Sequence, residues 1–137
     1  STITKYKKKD YDEAIDISKK IWKISSDKIF EFSKNKNSLY LHILQPNLYL
    51  EKSKILTKEE QALLIYPKYG NIISNYYGTL RIENLKAKNK LDLRYLFKDN
   101  SNKLYRDYCC HFNNLGMHLI SLNIIESFQE EFKSYLE

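Results

Sequence analysis

Asp107 and His111 are the residues whose types and spacing suggest chemistry most directly. They stand four apart in Asp107-Tyr108-Cys109-Cys110-His111-Phe112-Asn113-Asn114-Leu115-Gly116, just ahead of an apolar, helix-periodic segment. A carboxylate beside an imidazole orients the ring and stabilises its charged form, and the imidazole then serves as general base and acid. A surface ion pair or a helix-start feature has the same appearance in sequence, because structural pairs also perturb ionisation. Cys109 and Cys110 add thiols beside His111. A Cys nucleophile is one reading, and two small packing residues the other. Neighbouring cysteines bridge poorly, so two free thiols are expected, a state compatible with a reducing compartment such as the cytoplasm. His42, His111, His118 and the two cysteines lack metal-ligand spacing, so neither metal nor cofactor is expected.

Several elements must position that pair. Asp10 and Glu13 have capping-box spacing. Ala14, Ile17, Ile21 and Ile24 recur at helical intervals, which predicts a helix over 11–33 with Trp22 as a core anchor. The apolar run 39–44 predicts a strand buried on both faces, as in a parallel sheet, with His42 a satisfied core histidine. Pro46 ends it and biases Gln45 toward extended geometry. Ligands in open α/β sheets gather beyond the C-terminal ends of strands, which places Gln45, Asn47 and Tyr49 as candidate substrate-binding residues. An ordinary loop is the alternative.

Thr57 and Glu60 form a second capping box, predicting a helix to about Tyr66 that Pro67 stops. A further helix is expected from Ile73 to about Ala87, weakened by Gly78. A second strand over 90–95 completes a βαβ unit. A polar loop, 98–102, leads to Asp107 and His111. The last helix starts at Asn113 or Asn114 with an Asn cap. It carries Leu115, Leu119, Leu122, Ile125, Phe128, Phe132 and Tyr135 as a core stripe.

At 137 residues, with 42% hydrophobic and 14% aromatic residues, the chain is one domain or less and not simply disordered. No apolar run reaches membrane-spanning length and no signal-peptide core is present, so the compartment is left open. The net charge of +6 and the pI near 9.1 would suit a nucleic-acid binder. No zinc-finger, RNP-like or phosphate-loop motif accompanies them, so no nucleic-acid partner is expected. Lys7-Lys8-Lys9 is the one dense basic run, and residues 1–9 read as a basic arm ahead of a domain spanning 10–137.

The 107–116 stretch resembles the last sequence block of the SGNH (GDSL-type) hydrolases, where an Asp and a His precede an N-x-x-G segment that opens the final helix. Tyr40-Leu41-His42-Ile43-Leu44-Gln45-Pro46-Asn47-Leu48-Tyr49, followed by Thr57-Lys58-Glu59-Glu60, resembles the strand, LQPN loop and helix start of one branch of that family. With Trp22 and Ser25-Ser26 on the preceding helix, the likeness runs from about Asp10 to the end. Two departures stand out. The family spacing is D-x-x-H, whereas Asp107 and His111 are D-x-x-x-H with Tyr108 at the usual Asp position. There is also no Gly-Asp-Ser block.

The resemblance implies a three-layer αβα fold with a flavodoxin-like parallel sheet, incomplete in this chain. It implies the His- and Asp-bearing C-terminal half of a serine ester hydrolase acting on small O-acyl esters, His111 and Asp107 being catalytic and the serine lying elsewhere. A chain of this kind is expected to form a homo-oligomer or to need a complementing N-terminal fragment. The alternative is a non-catalytic α/β remnant that acts as a binding or assembly module.

Overall fold

A computed structural model describes residues 8–108 and 110–136. Cys109 and residues 1–7 of the expected arm lie outside the described residues. Lys8 and Lys9 form the first turn of helix α1 (Lys8–Asn35). Asp10 therefore sits inside that turn rather than at a cap, where its charge complements the helix dipole, as Lys34 does in the last turn. The helix ends in a Schellman closure. Ser38 N–H donates to the Ser33 carbonyl at 2.9 Å and Asn37 N–H to that of Lys34 at 3.2 Å. This requires a left-handed residue at Asn37 (φ 51°), a conformation asparagine tolerates better than most.

Strand β1 (Leu41–Leu44) pairs in parallel with β2 (Asn89–Asp92), Leu41 opposite Asn89 and Leu44 opposite Asp92. The pairing continues one step, with Leu93 N–H donating to the Leu44 carbonyl. Alternate side chains leave opposite faces. Ile43 and its register partner Leu91 pack against the main core of Leu48, Tyr49, Leu93, Phe97, Leu104, Tyr105 and Ile120. Leu44 joins a smaller cluster with Leu80, Ile82 and Leu85, against which Trp22 of α1 packs.

The connection between the strands differs from the expectation of two long helices. Helix α2 spans only Lys58–Gln61. Pro67 starts α3 (Pro67–Asn75) instead of merely stopping α2. Proline drives the preceding residue, Tyr66, out of helical space (φ −122°, ψ 78°), and its missing N–H costs nothing in the first helical turn. Beyond Asn75 the expected helix breaks into two 3₁₀ turns, Tyr77–Thr79 and Ile82–Asn84.

The final helix is α4 (Asn114–Ser127), capped by Asn113 as anticipated, and it breaks at Phe128 before α5 (Gln129–Leu136). Its buried positions are Gly116 and Ile120, with Phe128 following. Leu115, Leu122, Ile125 and Tyr135 of the expected core stripe are exposed. The described architecture is mixed α/β around a two-stranded parallel sheet. No described helix is long and apolar enough to cross a membrane.

Candidate functional site

Asp107 and His111 meet across a tight hairpin. Arg106 N–H donates to the His111 carbonyl at 2.9 Å, Asn113 N–H donates to the Leu104 carbonyl at 2.8 Å, and Tyr105 and Phe112 form the antiparallel bridge between them. The Arg106–His111 backbone hydrogen bond sets the two side chains together despite the four-residue spacing. The Nδ1 of His111 lies 2.5 Å from Asp107 Oδ2, and its backbone N–H lies 3.5 Å from Oδ1. A carboxylate on Nδ1 holds the proton there and leaves Nε2 as the basic nitrogen. The His111 side chain is 70% exposed and that of Asp107 35%, so Nε2 is open to a reactant from solvent. Tyr108 sets its ring edge-on to Tyr66, with centroids 5.3 Å apart.

The hairpin is braced from three sides. Its base is aromatic: Phe97, Tyr105 and Phe112 contact one another with centroids 5.4–5.9 Å apart. Its C-terminal arm is tied to α4 by Asn113, whose Oδ1 accepts from Gly116 N–H at 2.9 Å while Nδ2 donates to the Lys103 carbonyl at 2.6 Å. Gly116 is needed there because a β-carbon would stand 2.7 Å from the Leu104 carbonyl oxygen and 3.0 Å from Phe112 Cβ.

Its N-terminal arm is held by Glu60, which is fully buried. Glu60 Oε1 accepts from Leu104 N–H at 2.7 Å and from Tyr105 N–H at 3.1 Å. Its Oε2 accepts from Thr57 N–H at 3.0 Å and pairs with the equally buried Lys54 ammonium at 2.9 Å. Burial pushes this carboxyl up. The hydrogen bonds from Leu104, Lys54, Thr57 and Tyr105 outweigh that effect and hold it below the ordinary 4.5, so it is the charged form that braces the hairpin.

Thr57 and Glu60 do form the expected capping box. The long-range grip of Glu60 on the hairpin gave no sequence signal, because its partners are backbone groups 44 and 45 residues away. Asp92 and Arg94 were also not foreseen. Arg94 forks onto Asp92 at the end of β2 and donates to the carbonyls of Tyr77 and Gly78, tying β2 to the crossover. Its partners are short-range in sequence only for Asp92.

The loop after β1 holds the three expected substrate-binding residues. The carbonyl of Gln45 accepts from the Tyr77 hydroxyl at 2.6 Å, while its side chain is exposed. The Oδ1 of Asn47 accepts from Tyr49 N–H at 2.9 Å in an Asx turn. Tyr49 is buried in the main core. Gln45 is thus the most exposed of the three, Asn47 being half-buried and Tyr49 buried.

His42 has a different setting. Its Nδ1 lies 2.8 Å from the Ser26 hydroxyl and 2.9 Å from that of Tyr40, and its ring meets Trp22 edge-on at 5.2 Å. Partial burial lowers its pKa from 6.5 and so favours the neutral ring beside those hydroxyls. Ser26, 3% exposed on the inner side of α1, is closed to substrate, so this Ser–His contact is structural. Cys110 is a half-buried thiol. Among the described residues no group of three or more His, Cys, Asp or Glu side chains is placed to hold a metal.

No family model, curated protein or solved structure matches this chain.

Proposed function

We propose that this chain carries the general-base half of an SGNH-type ester hydrolase acting on small O-acyl esters. The observation that supports it is the Asp107–His111 contact, with Nε2 open to solvent on a hairpin braced from both arms. In this reading a serine from another segment or subunit attacks the ester carbonyl. His111 Nε2 takes the serine proton and returns it to the departing alcohol, leaving an acyl-serine. His111 then takes a proton from water, whose oxygen attacks the acyl carbon, and returns it to the serine as the acid leaves. Asp107 orients the ring and stabilises imidazolium. Gln45 and Asn47 shape the acyl or alcohol side of the site, and the two-stranded sheet is the edge of a three-layer αβα sheet that the serine-bearing segment completes.

A second reading has a specific observation in its favour. Among the described residues no serine hydrogen-bonds to His111, and large apolar side chains on α1 and α4 are exposed. Both suit a non-catalytic binding or assembly module. The natively assembled protein, treated with a fluorophosphonate and assayed with p-nitrophenyl acetate, separates the two. The hydrolase reading expects covalent labelling of a serine in the assembly and a fall of roughly a thousandfold or more in turnover in His111→Ala. An assembly that neither labels nor hydrolyses the ester overturns it in favour of the binding module.

A further inference from the structure

Away from the hairpin, a cleft of about 240 Å³ opens between α1 and the 3₁₀ turns. Lys19, Lys20 and Lys23 of α1 line one side, Arg81 and Asn84 the other, and Trp22 lies between them, with Leu80 closing the apolar floor. Two of the four cations have carboxylate partners: Lys19 with Asp16 at 3.7 Å and Lys23 with Asp27 at 2.5 Å. Among the described residues no carboxylate lies within ion-pair distance of Lys20 or Arg81. Four cations thus line the cleft around one indole, two of them with a carboxylate within ion-pair distance.

Lys20 and Lys23 are three apart and Lys19 and Lys23 four apart, spacings at which like charges repel on a helix surface. An anion seated between α1 and Arg81 relieves the repulsion. Arg81 presents a planar fork suited to two phosphate oxygens, Lys20 a mobile point charge, and Asn84 an uncharged donor. The Thr79 hydroxyl is already committed to the carbonyls of Asn75 and Tyr76. The half-buried indole offers a flat apolar surface beside the cations, which suits a ring rather than a bare ion. The volume is below the usual range for drug-sized sites and fits a single ring bearing one charged group.

We propose that this cleft binds a small aromatic phosphomonoester, its dianion held by Arg81 and Lys20 and its ring against Trp22. The site shares no residue with the Asp107–His111 hairpin, so it stands independently of the hydrolase reading.

Trp22 is the sole tryptophan of the sequence, so intrinsic emission reports on the cleft directly. The test is a titration of the protein with phenyl phosphate at low salt. The expected result is a saturable change in emission that weakens as salt rises. Phenol and inorganic phosphate, each with half of the ligand's chemistry, should bind about tenfold more weakly or worse. Lys20→Gln/Arg81→Gln, at two exposed positions, should weaken phenyl phosphate by about tenfold or more with an unchanged circular dichroism spectrum. If that double variant misfolds, Arg81→Lys keeps the charge and loses the fork, and an affinity between those of wild type and inorganic phosphate is expected. The proposal is overturned by an emission trace that does not saturate, by equal responses to phenol and phenyl phosphate, or by variants that bind as wild type does. A response confined to vesicles containing phosphatidylglycerol overturns it too, since that would make the patch a lipid-surface contact.

Discussion

Two histidines of this chain sit in opposite settings. His111 stands largely in solvent with one nitrogen held by Asp107, the arrangement a proton-transfer group needs. His42 is wedged between Ser26, Tyr40 and Trp22, where partial burial disfavours its charged form. Its folded pKa lies below 6.5, so the folded chain binds fewer protons at this site than the unfolded chain. Stability contributed here is full above about pH 6.5 and is lost as pH falls through the lower folded value. Thermal unfolding followed between pH 8 and pH 5 should show a decline below about 6.5 that is shallower in His42→Gln, which does not titrate. Parallel curves for the two proteins would remove His42 as the source of that decline.

At the scale of elements, the hairpin 104–113 depends on a carboxylate from α2. Glu60 brings a charge into the interior, which is unfavourable alone, and offsets that with one ammonium and three backbone donors. Glu60→Ala leaves the buried Lys54 ammonium and the Leu104 and Tyr105 N–H groups without this acceptor. It should destabilise the chain by about 3–5 kcal/mol in urea unfolding. Lys54→Met removes one ligand of the carboxylate but leaves its three backbone donors, and should cost less than Glu60→Ala. The opposite order would mean that the ion pair, rather than the backbone grip, holds the hairpin.

At the scale of the whole molecule, two parallel strands form a minimal sheet with backbone groups on both outer edges. The long helices add exposed carbon: Ile21 is 58% and Phe32 64% exposed on α1, and Ile125 and Tyr135 project from α4 and α5. Faces of this kind mark interaction surfaces. The complementation and self-assembly readings both expect a mass above that of one 16.4 kDa chain in sedimentation of the native protein. The Ile21→Glu/Phe32→Glu variant should lower that mass. A 16.4 kDa species at every concentration would leave these faces without a partner and would weigh against both readings.

Local rules determined much of this protein from its sequence. The strand before Pro46, the capping box at Thr57 and Glu60, the Asn113 cap and the end of α1 near Asn37 all follow from chemistry within a few residues. The pairing of Asp107 with His111 was legible as a possibility for the same reason. Tertiary structure decided what those rules leave open. Periodicity marked Leu115, Leu122 and Ile125 as a core stripe, yet the face that packs carries Gly116 and Ile120, because only a glycine lets α4 approach the Leu104 carbonyl. The crossover broke into short turns once Pro67 excluded Tyr66 from helical space and Arg94 claimed the carbonyls of Tyr77 and Gly78. The hairpin that makes the candidate site was fixed by Glu60, 44 residues away in the chain. A sequence pattern carries spacing along the chain, whereas burial and long-range hydrogen bonding depend on which surfaces meet.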